Sequence, residues 1–420
     1  MELILSYKQN EIEVLPEGWK IKTLFDLAER KKELFDDGDW IEAAHITTQG
    51  IRLIQTGNIG IGKFIEKDDK KYIYESSCIS LRCKELKQGD LLICRLAEPA
   101  GRSCVLGDIS EARVVTSVDV TIFRPSSMLA DRYFLSQVFS TSEWFKAVSD
   151  LCGGTTHKRI SRGALGRLKI KIPPLTEQHA ISTILNDVDL LLSTLDKIIT
   201  KKRDIKQAAM QQLLTGKIRL PGFSESWEVK RLGDVAYFLK GKGLPKSAIS
   251  ESGSNPCIHY GELFTLYPET IGEIYSRTDS FSGAFRSVGN DVLMPTSDVT
   301  PRGLAKASCI KSDDVILGGD ILVIRSDTTL ICGSFLSFLI RYEEAQILKL
   351  VTGSTVYHLY GSDMEDFTFL MPSLPEQFAI VTVLSGINAE LSALETRLDK
   401  TRNIKQAMMQ ELLTGKTRLI

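Results

Sequence analysis

Apolar residues recur at steps of three and four in two separate stretches. They are Leu185, Val188, Leu192, Leu195 and Ile199, and again Leu384, Ile387, Leu391, Leu394 and Leu398. Such spacing lines one face of a helix, and here it reads as a coiled-coil seam that lasts under about three heptads before Lys202 and Thr401 break it. Each helix opens after a proline, in "IPPLTEQ" (Ile172 to Gln178) and "MPSLPEQ" (Met371 to Gln377). Proline is tolerated only in the first turn, Ser373 and Glu376 have capping-box spacing, and Glu177 and Glu376 suit the positive helix start. Gly216, after Thr215, stands where a left-handed C-terminal cap belongs, whereas Gly386 interrupts the second helix at a tolerable ~1 kcal/mol. From Thr176 to Leu214 such a helix reaches about 58 Å.

Elsewhere the pattern changes to short apolar runs bounded by turns. "GDLLICR" (Gly89 to Arg95) and "GDILVIR" (Gly319 to Arg325) predict buried strands, and "VTSVDVTIFRP" (Val115 to Pro125) a strand that stops at proline. "SEWFKAVSDL" (Ser142 to Leu151) and "SFLIRYEEAQILKLV" (Ser337 to Val351) predict helices. The fold class is therefore α+β, with a mixed, strand-rich module of about 150 residues used twice.

The two long helices are copies of one another. Thirteen of sixteen residues agree between Ile205–Leu220 and Ile404–Leu419, at an offset of 199, and 26 of 48 agree from Pro173/Pro372 to Leu220/Leu419. A fainter match pairs "EGWKIKTLFDLA" (from Glu17) with "ESWEVKRLGDVA" (from Glu225), aligning Trp19 with Trp227 and Asp26 with Asp234. Between these marks the halves are nearly unrelated. The chain thus alternates variable and shared segments, and two matching seams pack most economically on each other, antiparallel, as a pseudo-two-fold repeat.

Composition narrows the chemistry. The chain has 420 residues, 43% hydrophobic and 25% charged, and a net charge of −1, so an anionic partner has to be met by a local patch. No apolar window approaches the ~18 residues of a membrane span, and no signal peptide opens the chain. The eight cysteines stand singly and the five histidines have no ligand spacing, which predicts reduced thiols, a cytoplasmic location and no metal site. Nucleotide-cradling, hydrolase, kinase and adenine-methyltransferase motifs are all missing, and no catalytic constellation emerges.

The candidate contacts lie in loops that mix small polar residues with cations or aromatics. "GGTTHKRISR" (Gly153 to Arg162) and "GSTVYHLYG" (Gly353 to Gly361) precede the two helices at equivalent positions. Lysine and arginine meet phosphates, hydroxyls donate to phosphate or base edges, and arginine forks onto guanine. In the first module the candidate nucleic-acid contacts are Thr155, Thr156, Lys158, Arg159 and Arg162, with Arg95 and Arg102 behind them. In the second they are Ser354, Thr355, Tyr357 and His358, with Lys240, Lys242, Thr296 and Arg302. Between Lys197 and Arg219 seven Lys/Arg face one acid, a surface for phosphates or an acidic partner. Equally, the G-[GS]-T loops can be read as turns that feed the helix, and the basic run as a solvated face.

The doubled "IPPLTEQHAI … IKQAAMQQLLTGKIRL" and "MPSLPEQFAI … IKQAMMQELLTGKTRL", each after a G-[GS]-T loop, resemble the conserved regions of the specificity subunit of type I restriction–modification systems. The resemblance spans essentially the whole chain. It implies an N-terminal arm (residues 1–14), target recognition domains at 15–171 and 219–370, and conserved spacer helices at 172–218 and 371–420. Each domain would read one half of a split, asymmetric site in double-stranded DNA, and the paired helices would set the spacing and dock two methyltransferase subunits. Partner docking is expected at Gln178, Lys206, Gln207 and Gln211, and at Gln377, Lys405, Gln406 and Gln410. Restriction subunits would join that complex. S-adenosylmethionine and ATP with magnesium would belong to the partners, leaving this chain non-catalytic. Two rival readings are a stand-alone bipartite DNA-binding regulator and a diverged nuclease. The balanced charge disfavours the first, and the lack of clustered acids the second.

Overall fold

A computed structural model describes residues 15–154, 157–279 and 283–419. The expected N-terminal arm, like Thr155 and Thr156, lies outside them. The chain divides into two compact units, one built from residues 1–195 and 398–420 and the other from 196–397.

In the first unit an antiparallel ribbon of Lys20–Thr23 with Lys169–Ile172 closes the ends of the module onto each other. Between them lie two four-stranded sheets. One runs in the order Phe35–Asp37, Val120–Phe123, Leu91–Cys94, Ser103–Val105, and the other Ile46–Thr47, Lys71–Ile73, Ile51–Ile54, Val114–Thr116. "LLIC" is a fully buried strand, as its unbroken apolar run predicts. "VTSVDVTIF" is two strands rather than one, because the chain turns at Val118 and Asp119 to enter the other sheet. Ser142–Ser149 is the predicted helix, capped by Thr141, whose side chain accepts from the Trp144 N–H.

The second unit repeats the plan with different parts. The ribbon is Glu228–Arg231 with Thr368–Met371. A five-stranded sheet carries Ile321–Ser326 near its centre, beside a four-stranded sheet and a small three-stranded one. The predicted helix over 337–351 is two, Gly333–Tyr342 and Glu344–Leu350, the first buried along almost its whole length.

The long helices run Leu175–Leu213 and Leu374–Leu412, 39 residues each, and Gly386 does not break the second. Among the seam residues Leu185, Leu195, Ile199, Leu384, Leu391 and Leu398 are buried. In the first unit Lys405 Nζ lies 2.6 Å from Asp189 Oδ1, and in the second Lys202 pairs with Glu390. In both units residues late in one helix therefore meet residues early in the other, so the helix segments run antiparallel. One expectation needs correction. Leu374–Leu412 is long enough and, at a mean hydropathy of 1.3 over its most apolar 18 residues, apolar enough to meet the criteria for a membrane span. The seam residues, together with small and β-branched neighbours on the other faces, raise the average. Ile380 and Leu384 of that helix belong to the hydrophobic core of the second unit.

All eight cysteines are free thiols. Burial pushes Cys104 up to about 12, and Cys309, again chiefly through burial, to about 12 as well. A thiol must ionise to react. Both should resist iodoacetamide at pH 8 in the folded chain and become modified on unfolding, as peptide mass mapping would read.

Candidate nucleic-acid interface and partner surface

The two G-[GS]-T loops are hairpins of the same construction. In the first, Gly153 and Arg159 exchange both backbone hydrogen bonds, at 3.0 and 2.9 Å. In the second, Thr352–Gly353 pairs with Tyr357–His358. Gly154 (φ 102°) and Gly353 (φ 111°) occupy matching places in the left-handed region. A Cβ there would lie 2.7 Å from the His157 carbonyl oxygen and 2.2 Å from that of Val356, so only glycine fits. The repeat has thus kept a turn whose tip differs in sequence.

Each hairpin hangs on a second loop that the sequence also singled out. In the first unit Ala97 N–H donates to the Lys158 carbonyl and Ile160 N–H to that of Arg95, which joins the 95–102 loop to the 153–162 hairpin. In the second, Ser297–Asp298 pairs with Tyr357–His358, which joins the 295–303 loop to its hairpin. Lys240 reaches the same end, since its Nζ lies 3.7 Å from the carboxylate of Asp320, whose carbonyl accepts from Thr296 N–H.

Within these clusters the side chains divide sharply. Lys158, Ser354, Thr355, Lys242 and Lys240 are exposed, and Tyr357 and His358 are half-buried. Arg302 is 79% exposed and only 3.1 Å from Glu344, an ion pair weak enough to open for a ligand. Arg159 lies 3.3 Å from Asp119, and Arg162 is paired with Asp36. Three of the expected contacts are instead structural. Arg95 is 2% exposed and its guanidinium is held by the carbonyls of Ile160 and Val118 and by Asp37. Burial pulls its pKa down. Arg102 staples its own loop to the 56–59 turn by donating to four carbonyls, those of Leu96 and Pro99 on one side and Thr56 and Ile59 on the other. Thr296 is buried. A side chain consumed by internal hydrogen bonds cannot reach a base edge without leaving those carbonyls unsatisfied.

The partner surface divides the same way. Gln178 is 1% and Gln377 0% exposed, and both make one set of bonds. Gln178 accepts from Asp131 N–H and donates to the carbonyls of Leu129 and Pro173. Gln377 accepts from Cys332 N–H and donates to Leu330 and Pro372. These glutamines bolt each helix start to its own module and are not docking residues. Lys206 is held by Glu269 and Lys405 by Asp189, at 2.7 and 2.6 Å. Gln207, Gln211, Gln406 and Gln410 are exposed, as a docking face requires.

The neighbouring glutamate of each helix start explains the rest of the repeated signature. Glu177, fully buried, accepts from Trp19 Nε1 at 3.1 Å and takes a two-pronged bond from Arg418 at 2.6 and 2.8 Å. Glu376 does the same with Trp227 at 2.9 Å and Arg219 at 2.5 and 2.6 Å. The helix-ending glycines Gly216 and Gly415 lie against the two indoles, close enough that an added Cβ would touch the ring. The E-Q, the tryptophan and the G-K-x-R are thus one clamp, made twice, with each arginine coming from the end of the other helix.

Sequence reasoning missed two groups. Trp40 is 64% exposed and follows Asp36, Asp37 and Asp39, whose carboxylates hold Arg162, Arg95 and Lys84. On the long helices, Ile205 and Ile404 (42% and 56% exposed) and Ile184 and Val383 (36% and 38%) are apolar and exposed at matching positions of both copies. The identity of the two copies was visible; that it included exposed isoleucines was not.

The model of the type I restriction modification DNA specificity domain matches residues 16–207 and again 224–402. The chain belongs to that family. Its members are the specificity components of type I systems, and such a component is not the catalyst. Among relatives, the MjaX specificity subunit of Methanocaldococcus jannaschii is 24% identical over 99% of this chain and 97% of its own length. The MjaVIII specificity subunit of the same organism is 24% identical over 73% of this chain and 75% of its own. Among solved structures, an S subunit from M. genitalium covers 96% of this chain and 97% of its own, with a TM-score of 0.62 at 15% identity. A chain from a study of assembly and conformational transition of the type I system covers 96% and 100%, with a TM-score of 0.52 at 15% identity. The specificity-subunit fold, with two mixed α+β domains and long conserved helices, is thereby shared over nearly the full length.

Proposed function

We propose that this specificity subunit reads a split, asymmetric site in double-stranded DNA, one half with residues 15–171 and the other with 219–370. The helices of 172–218 and 371–420 set the spacing of the half-sites and dock two methyltransferase subunits. The observation that carries the reading is the contrast between copies. Ile184/Val383, Ile205/Ile404, Gln207/Gln406 and Gln211/Gln410 present one surface twice, whereas the hairpins differ beyond their shared G-[GS]-T, with His157, Lys158 and Arg159 in one against Val356, Tyr357 and His358 in the other. One surface shown twice suits two copies of one partner, and two unlike tips suit two unlike half-sites.

Charge pairing supports dependence on that partner. Arg159, Arg162 and Arg95 of the first module each face an aspartate, so few cations are left to displace counterions from phosphates. Two modules held together also gain over either alone through a millimolar-range effective concentration. S-adenosylmethionine, ATP and magnesium bind the partners, and restriction subunits join the assembly in the cytoplasm.

The test is co-expression with a type I methyltransferase subunit from the same genome. Light scattering should give two methyltransferases per chain, and sequencing of modified bases should return a bipartite motif. A lone chain that binds DNA tightly and ignores the methyltransferase would make it a stand-alone DNA-binding protein. Within that complex Lys158→Ala, in the first hairpin, should weaken binding evenly across sequences and lower the salt slope by about one. Thr355→Ala, in the second, should relax only the half-site that its own domain reads.

A further inference from the structure

The two helix copies differ at a position where their surroundings compensate. In the first unit Asp189 takes Lys405 Nζ on both oxygens, at 2.6 and 2.8 Å. The module contributes a neutral donor there, Gln137, whose Nε2 lies 2.8 Å from Asp189 Oδ2. At the repeat offset of 199, Lys206 matches Lys405 and Asn388 matches Asp189, so the second copy keeps the lysine and loses the acid. The missing carboxylate comes from the module. Glu269 takes Lys206 Nζ on Oε1 at 2.7 Å and Asn388 Nδ2 on Oε2 at 2.9 Å.

Glu269 is rigidly mounted for this task. It is 5% exposed and directly precedes the strand Thr270–Ile271. Its carbonyl accepts from Cys309 N–H and from the Ser337 hydroxyl, which fixes it to the sheet and to the buried helix. Burial pushes its carboxyl up, but the charges of Arg341 and Lys206 outweigh burial and hold it below the usual range, so it is ionised at neutral pH.

We infer that Glu269 is a positioning residue that keys the second recognition domain to its own place on the helices. Each place accepts one charge pattern. The first supplies the acid from the helix and takes a neutral module side chain; the second supplies an asparagine and takes an acidic one. The modules are therefore not interchangeable as they stand. The second module, set in the first place, would bring Glu269 against Asp189, two carboxylates competing for one lysine Nζ, while Arg341 stays committed to the carbonyls of Ala307 and Tyr267. Asp189→Asn would relieve that conflict. The inference rests on the proposed division into two recognition domains.

The experiment is a cycle of Glu269→Gln, Asn388→Asp and the double variant in the full chain, with melting temperature as the first readout. Glu269→Gln should lower it by about 4 °C. Asn388→Asp alone should also lower it, because a second carboxylate then crowds Glu269. The double variant should melt near the wild type, since the acid has moved to the helix as in the first copy. Additive losses, or a neutral Asn388→Asp, overturn the inference. The second readout is methylation of the wild-type motif by the assembled methyltransferase, which should fall several-fold in Glu269→Gln and return in the double variant. Rescue of melting without rescue of methylation would leave Glu269 a stabilising residue only and overturn its positioning role. A wild-type complex that methylates no bipartite motif, beside an intact melting cycle, would instead sink the two-half-site reading and leave the charge key standing.

Discussion

Glu376→Ala should destabilise the second unit more than any other single polar substitution on the helices. The carboxylate is 1% exposed and satisfies three donors at once, the Trp227 indole and two nitrogens of Arg219. Its removal leaves the indole N–H without its acceptor, at about 1–3 kcal/mol, before the loss of the two arginine bonds is counted. It also releases the end of one helix from the start of the other. Thermal and urea unfolding should show a lower midpoint, and the signal of Trp227 should change before that of Trp144 and Trp19 in the other unit. Glu177→Ala is the matching test in the first unit and should reverse that order. Trp227→Phe, which keeps the ring and removes only the N–H, should cost less than Glu376→Ala. Equal effects would mean that the arginine fork contributes nothing.

Ile205→Asp and Ile404→Asp should each remove one methyltransferase from the complex. Both side chains are exposed, at 42% and 56%, so neither substitution disturbs a core, and the free chain should melt as before. A charge placed in an apolar contact is left desolvated and unpaired, and losing a central anchor costs about 2 kcal/mol of binding, over tenfold in Kd. Light scattering should therefore read one methyltransferase per chain for either single variant and none for the double. The stepwise loss is the discriminating outcome. If a single variant abolished both copies, the two surfaces would not be independent docking sites.

The sequence went furthest where its signal was periodic or doubled. Helix limits came within one residue at both ends because proline, the acidic first turn and the C-terminal glycine mark them locally. It failed where one residue type serves two masters. Gln178 and Gln377 stand in the most strongly shared stretch and read as a docking surface, yet they are buried bolts, since a repeated contact inside the chain conserves the two copies as strictly as a repeated partner does. Arg95 and Arg102 read as groove contacts because their loop is polar. Their guanidiniums turn inward because the fold brings carbonyls of neighbouring segments, Ile160 and Val118 for Arg95 and Thr56 and Ile59 for Arg102, within reach, and a buried carbonyl needs a donor. Trp40, at the end of a run of acids, gave no periodic signal at all.

By itself the sequence determined the α+β class, the doubled helices with their antiparallel seam, the places of the hairpins and the family. The class, the helices and the loop places follow from spacing, turn chemistry and internal identity, and the family from the resemblance of the doubled motif; all are written in short stretches of chain. Only the tertiary structure decided which shared residues face inward, that the E-Q, W and G-K-x-R motifs form one clamp, and that Glu269 replaces an acid the second helix lacks. Those depend on pairs some 60 to 240 residues apart. A polar side chain's role is set by which distant donor or acceptor the fold brings within about 3 Å, and no local pattern records that.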